Sequence, residues 1–227
     1  MLPGIMGMAG LVGYDIQVVA TLADAGGSSP HTFSNVSFGP EYTGRILVAC
    51  TCLRETGSNP LNIPSNGVTI GGVTATGEDN GNANASGPGI GAGIAAAAGV
   101  SGTSGDVVVS WSSATANAAG LILLSVPGIS VTASDTGSAA SNQAGGTSVN
   151  CTLDIPSNGL LIAACAHTNT NDETLTGVTE RASVIVGAGS LAVGYDKGLS
   201  LQVARPVSGS WTTSAIYGLH ARSYVQS

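Results

Sequence analysis

From residue 15 onward the chain never sustains a helical period: short apolar or alternating runs are cut every few residues by Gly, Pro, Asn, Asp and Ser. Turn chemistry at that density leaves room for strands but not for capped helices, which confines the chain to an all-β fold. Composition presses the same way. Glycine occurs 34 times and charged residues make up 8% of the chain, about a third of the roughly 25% usual in globular domains. Helix-favouring Lys and Glu are scarce. A length of 227 residues is enough for one large β-sandwich with a substantial core.

The spacing predicts strands at 15–23, 31–38, 45–53, 67–75, 89–98, 106–112, 119–126, 148–154, 159–167, 173–180, 190–196, 199–204 and 211–224. Phe33 and Val36 break simple alternation, which predicts a bulge between them. Val107, Val109 and Trp111 fall on one face, so Trp111 belongs in a core. Ile46–Cys50 and Leu160–Ala164 are apolar on both faces, as central strands covered from both sides should be. Ala92–Ala98 is the one run where a helix competes, but the flanking glycines favour a strand. Polar stretches 76–88 and 132–147 read as surface loops.

Two echoes recur. Ile63-Pro64-Ser65-Asn66-Gly67 returns as Ile155-Pro156-Ser157-Asn158-Gly159, and Gly44-Arg45-Ile46-Leu47-Val48-Ala49-Cys50 returns as Gly159-Leu160-Leu161-Ile162-Ala163-Ala164-Cys165. Their spacings differ, so recurring turn-and-strand grammar explains them without a duplicated domain. The expected architecture is a single antiparallel β-sandwich, jelly-roll-like, over 15–227, preceded by a short N-terminal arm over 1–14.

A net charge of −7, with one lysine and five scattered arginines, argues against nucleic acid or an anionic membrane as partner. The apolar leader, containing Met1, Leu2, Pro3, Ile5, Met6 and Met8, has no basic flank and is too short to span a bilayer. It suits an arm docking on a neighbouring subunit, or equally a first strand or frayed terminus.

The chemistry of catalysis is mostly missing. There is no G-x-S-x-G elbow, no phosphate cradle around Lys197, and the acidic pairs Glu78-Asp79 and Asp172-Glu173 are neighbours in polar loops rather than opposed carboxylates. No enzyme and no cofactor are expected. Cys50, Cys52, Cys151 and Cys165 sit in apolar surroundings and read as buried thiols filling a core. Two alternatives remain open: a disulfide across the look-alike strands, or, if those strands pair in register, a zinc site of Cys50, Cys52, Cys165 and His167. Tyr42 and Trp211 are the aromatics best placed for exposed contacts.

The order of segments resembles a group of bacteriophage and prophage structural proteins of tailed phages. The matching pieces are Met1–Gly4, Gly44–Val48, Val68–Val73, Val100–Val109, Ile155–Leu160 and Leu175–Arg181. The resemblance implies a virion-associated β-sandwich without catalytic residues. It points to a protein decorating or spiking the capsid surface through its arm, with the major capsid protein as partner and a trimer as the favoured homo-oligomer. The alternative is a tail-fibre or receptor-binding module contacting host-surface glycans.

Overall fold

The computed structural model describes residues 15–24, 29–55, 64–79, 89–111, 116–140, 145–170 and 173–226, and every regular element among them is a strand. The leader, including Met1, Leu2, Pro3, Ile5, Met6 and Met8, lies outside the described residues, as does Asp172. The first half runs β1 (Gln17–Asp24), β2 (His31–Ser37), β3 (Arg45–Glu55), β4 (Val68–Ile70), β5 (Val73–Thr74), β6 (Thr76–Asp79), β7 (Gly89–Ala98), β8 (Ser104–Val109) and β9 (Ala116–Pro127). The second runs β10 (Asp135–Ala140), β11 (Gly146–Ile155), β12 (Gly159–His167), β13 (Thr174–Thr176), β14 (Glu180–Val186), β15 (Gly189–Leu199), β16 (Gln202–Ala215) and β17 (Tyr217–Val225).

These strands form four antiparallel sheets, ordered β1-β9-β3-β7-β6, β2-β8-β4-β5, β10-β17-β12-β15-β14 and β11-β16-β13. Side-chain alternation shows how they stack. On β3, Ile46, Val48, Cys50 and Cys52 join Leu160, Ile162 and Ala164 of β12 in one apolar cluster. The intervening Leu47, Ala49 and Leu53 join Phe33, Val107 and Trp111 in another. On β12 the alternate residues Leu161, Ala163 and Cys165 pack with Val149, Leu175 and Val207 in a third. Because successive strand side chains point to opposite faces, the two five-stranded sheets are inner layers buried on both sides. The shorter sheets are outer covers.

The chain is therefore all-β and antiparallel as expected, but the single jelly-roll sandwich is not confirmed, since four sheets are present. It traces one path twice. Strands β1, β9, β3, β7 and β6 hold the same sheet positions as β10, β17, β12, β15 and β14, and β2, β8 and β4 match β11, β16 and β13. The echo on Gly44–Cys50 and Gly159–Cys165 falls on the matching central strands β3 and β12, yet one residue out of register. Cys50 faces the shared core while Cys165 faces the core of its own sandwich. A slip of one residue exchanges the faces, so the wording recurs without the packing. The pentapeptide echo leads into β4 in one copy and β12 in the other, which are not matching strands.

Local readings fare variously. The bulge sits between Phe33 and Val36, with Asn35 at φ 53°. Ala92–Ala98 is strand, lying between β3 and β6. Asn158 takes φ 54° in the turn into β12. The expected loops at 76–88 and 132–147 contain strands β6 and β10, the outer edges of the two inner sheets. Candidate 67–75 divides into β4 and β5, and candidate 173–180 into β13 and the start of β14.

Close approach of the inner sheets depends on small residues, among them Ala92, Ala96, Ala118, Ala164 and Ala166. Gly120 of β9 shows how close the layers come: a Cβ there would lie 2.5 Å from Val186 Cγ2 and 3.0 Å from Cys52 Sγ. Polar groups also enter this interface from β17. Leu219 and Ala221 face the outer core, so His220, Arg222 and Tyr224 face the inner one. Arg222 Nε donates to His220 Nε2 at 3.0 Å. Burial, then the neighbouring Arg222, lowers the His220 pKa to about 3, while burial raises that of Tyr224 to about 12.

Gly120→Val should force the inner sheets apart and lower stability by about 1–3 kcal/mol in urea denaturation, the usual cost of overpacking. A neutral His220 also makes a pH prediction. The unfolded histidine takes up a proton below about pH 6.5 and the folded one does not until about pH 3. Stability contributed by this group is full above pH 6.5 and is lost on acidification towards 3, at up to about 1.4 kcal/mol per pH unit. Denaturation midpoints between pH 6.5 and 4.5 should show that slope, and His220→Gln should flatten it.

Candidate functional site

The proposed zinc constellation fails on topology. Strand β3 pairs with β7 and β9, whereas β12 pairs with β15 and β17, so the look-alike strands never lie side by side. Cys50 and Cys52 face the shared core and Cys165 the opposite way. Among the described residues no group of three or more His, Cys, Asp or Glu is arranged to hold a metal ion. All four cysteines are free and buried, as the core-filling reading expects. Desolvation raises every thiol pKa, that of Cys151 to about 11.

The two aromatics expected at exposed contacts separate. Tyr42 is half-buried, its hydroxyl 3.0 Å from Ser125 Oγ. Trp211 is buried at 5% exposure, which corrects the reading of it as a surface residue. Its Nε1 donates to the Gly146 carbonyl at 2.6 Å, and its ring stacks on His167 with centroids 4.7 Å apart. The Ser208-Gly209-Ser210 run that precedes it lies inside the long strand β16, whose alternation turns the indole inward.

His167, meanwhile, belongs to a buried polar cluster that the sequence did not disclose. It ends β12 and pairs with Ser190 at the start of β15, while Glu173 approaches from just before β13. His167 Nε2 lies 2.5 Å from Glu173 Oε2 and 3.0 Å from Ser190 Oγ, and Ser190 also donates to Glu173 Oε2. All three residues are buried. The backbone N–H of Asn169 donates to His167 Nδ1 at 3.3 Å, so Nε2 carries the ring hydrogen and gives it to the carboxylate.

The same three residue types make a nucleophilic triad when the imidazole offers a free nitrogen to serine and its N–H to the acid. Here the acceptor nitrogen is occupied by the backbone and both hydroxyl and imidazole point at one carboxylate oxygen. The arrangement holds protons in place. It leaves Ser190 without an imidazole base, its hydroxyl proton directed at Glu173 instead.

The cluster borders open space. Among the described residues the second outer sheet ends at β13 with no strand matching β5, and along β14 lies a cavity of about 340 Å³. Thr170, Glu173, Glu180, Ser183, Ile185 and Ser190 line it. Beside this cavity Glu173 Oε1 is buried without a hydrogen-bond partner, where buried polar atoms usually have one. Sequence reading passed over Glu173 because its neighbour Asp172 and the surrounding Asn and Thr mark a solvated loop.

Comparison with family models, curated proteins and solved structures finds no match to this chain.

Native protein should leave its four cysteines unreactive towards a thiol reagent, with four equivalents appearing on unfolding under non-reducing conditions. Two equivalents after unfolding would instead reveal a disulfide.

Proposed function

We propose that this chain is a structural, surface-assembling protein of a tailed-phage virion, decorating or spiking the head through its N-terminal arm and associating as a trimer. The segment resemblance supplies the virion context, and the observation that carries the assembling role is an exposed apolar tip. Leu201 and Val203 are 70% and 79% exposed where the chain turns from β15 into β16, and Val225 is 48% exposed on β17, which pairs with the neighbouring strand β12 at Gly159. In a chain this poor in charge, Leu201 and Val203, two residues apart and both in water, suit contact with another protein surface. A four-layer stack with an apolar core between each adjacent pair of layers provides a stiff body for such an assembly. The Ser190–His167–Glu173 arrangement fits a non-enzymatic role because it gives Ser190 no free imidazole nitrogen.

Wild-type protein should sediment as an oligomer, with three copies expected, and Leu201→Asp with Val203→Asp should return it to monomer. Immunogold labelling of virions should place it on the head; label on the tail fibres would contradict that placement.

The cavity beside Glu173 favours a second reading, a receptor-binding module for host-surface glycans. Sugar hydroxyls suit its acceptors and hydroxyls, and Ile185 supplies an exposed apolar wall. Glycan-array binding that is lost in Ser183→Trp, which would plug the cavity, would support this reading over the first.

A further inference from the structure

A buried cation normally finds an anion or several carbonyl oxygens, because an uncompensated charge away from water is costly. Arg45 obeys: its terminal nitrogens donate to the carbonyls of Gly39, Pro40, Val100 and Gly102. Arg205 reaches Asp196 and the Gly177 carbonyl. Arg222 does not. It is 5% exposed, gives Nε to His220, and stands beside the Tyr224 hydroxyl, and no carboxylate pairs with it among the described residues.

What Arg222 does border is a second cavity, of about 300 Å³. Its walls come from both halves of the molecule: Ser65 and Asn66 before β4, Thr76 on edge strand β6, and Thr132 and Thr136 around edge strand β10. Thr136 is the cross-strand partner of Arg222. No acidic residue lines the space among the described residues. A guanidinium set among hydroxyls and an amide supplies one fixed positive charge and a ring of hydrogen-bond donors. An oxyanion is the ligand chemistry that satisfies both.

We infer that the cleft between edge strands β6 and β10 is a binding site for an oxyanion of about monosaccharide size, held by Arg222 at its floor and by the hydroxyls of Thr76, Thr132 and Thr136. A sugar carboxylate and a phosphate share this chemistry. The site joins the two sandwiches, so its ligand also bridges them.

The test is calorimetric titration of the intact chain with sodium glucuronate, inorganic phosphate and glucose at constant ionic strength. Saturable binding of glucuronate or phosphate is expected, with no heat from glucose. Tighter glucuronate assigns the site to a sugar acid, and tighter phosphate to a phosphoryl group. Thr136→Glu places a carboxylate opposite Arg222 and should abolish binding while raising the ligand-free thermal midpoint. Thr136→Val keeps the strand and should weaken binding severalfold. Absence of binding by both oxyanions in the wild type would overturn the inference. So would equal binding of glucose, or titrations unchanged in a folded Thr136→Glu protein.

Discussion

Everything in this molecule depends on the contact between two sheets that must each be covered twice. An inner sheet with apolar residues on both faces is unstable with either face in water, since each large aliphatic side chain buried contributes about 1.5–3 kcal/mol relative to exposure. Strands β3, β9 and β12 carry such residues at nearly every position. The outer sheets cover one face of each inner sheet, and the other inner sheet covers the remaining face. Small residues follow from that demand, because bulky side chains on both partners would hold the layers apart. Ala, Gly and Cys at the interface are thus one solution to one packing problem.

Much of this was legible at the level of single strands. Ile46–Cys50 and Leu160–Ala164 announced two-sided burial, Val107 and Val109 announced one-sided burial, and the Phe33–Val36 irregularity announced its bulge. What the residues could not disclose was that two doubly covered strands belong to different sheets. A run apolar on both faces fits the middle of any stack, and nothing local says how many layers there are. The edge strands β6 and β10 were missed for a related reason. The strand β10, Asp-Thr-Gly-Ser-Ala-Ala, has no alternation of apolar residues, and its place is held by backbone pairing to β17. Its Gly137 lies so close to Thr152 that a Cβ would stand 2.7 Å from the carbonyl oxygen, a constraint invisible in sequence.

The functional groups were the least legible part, because each is defined by a long-range meeting. His167, Glu173 and Ser190 come from three strands or their flanks. Arg222 gains its meaning from residues of the other sandwich. In both clusters a polar side chain enters an otherwise apolar stack with something left over: Glu173 Oε1 has no hydrogen-bond partner, and Arg222 has no carboxylate paired with it among the described residues. Buried polar groups of that kind are usually satisfied. They mark the two cavities as places where something outside the chain completes the hydrogen bonding, and they leave the apolar tip at Leu201 and Val203 as the surface suited to assembly.

If the inner sheets form one shared core, neither sandwich can unfold while the other remains intact, because loss of one exposes an apolar face of the other. Scanning calorimetry of the intact chain tests this most directly. The account predicts a single transition whose calorimetric and van't Hoff enthalpies agree. Two separated transitions, each carrying about half the total enthalpy, would show two independent sandwiches and contradict it.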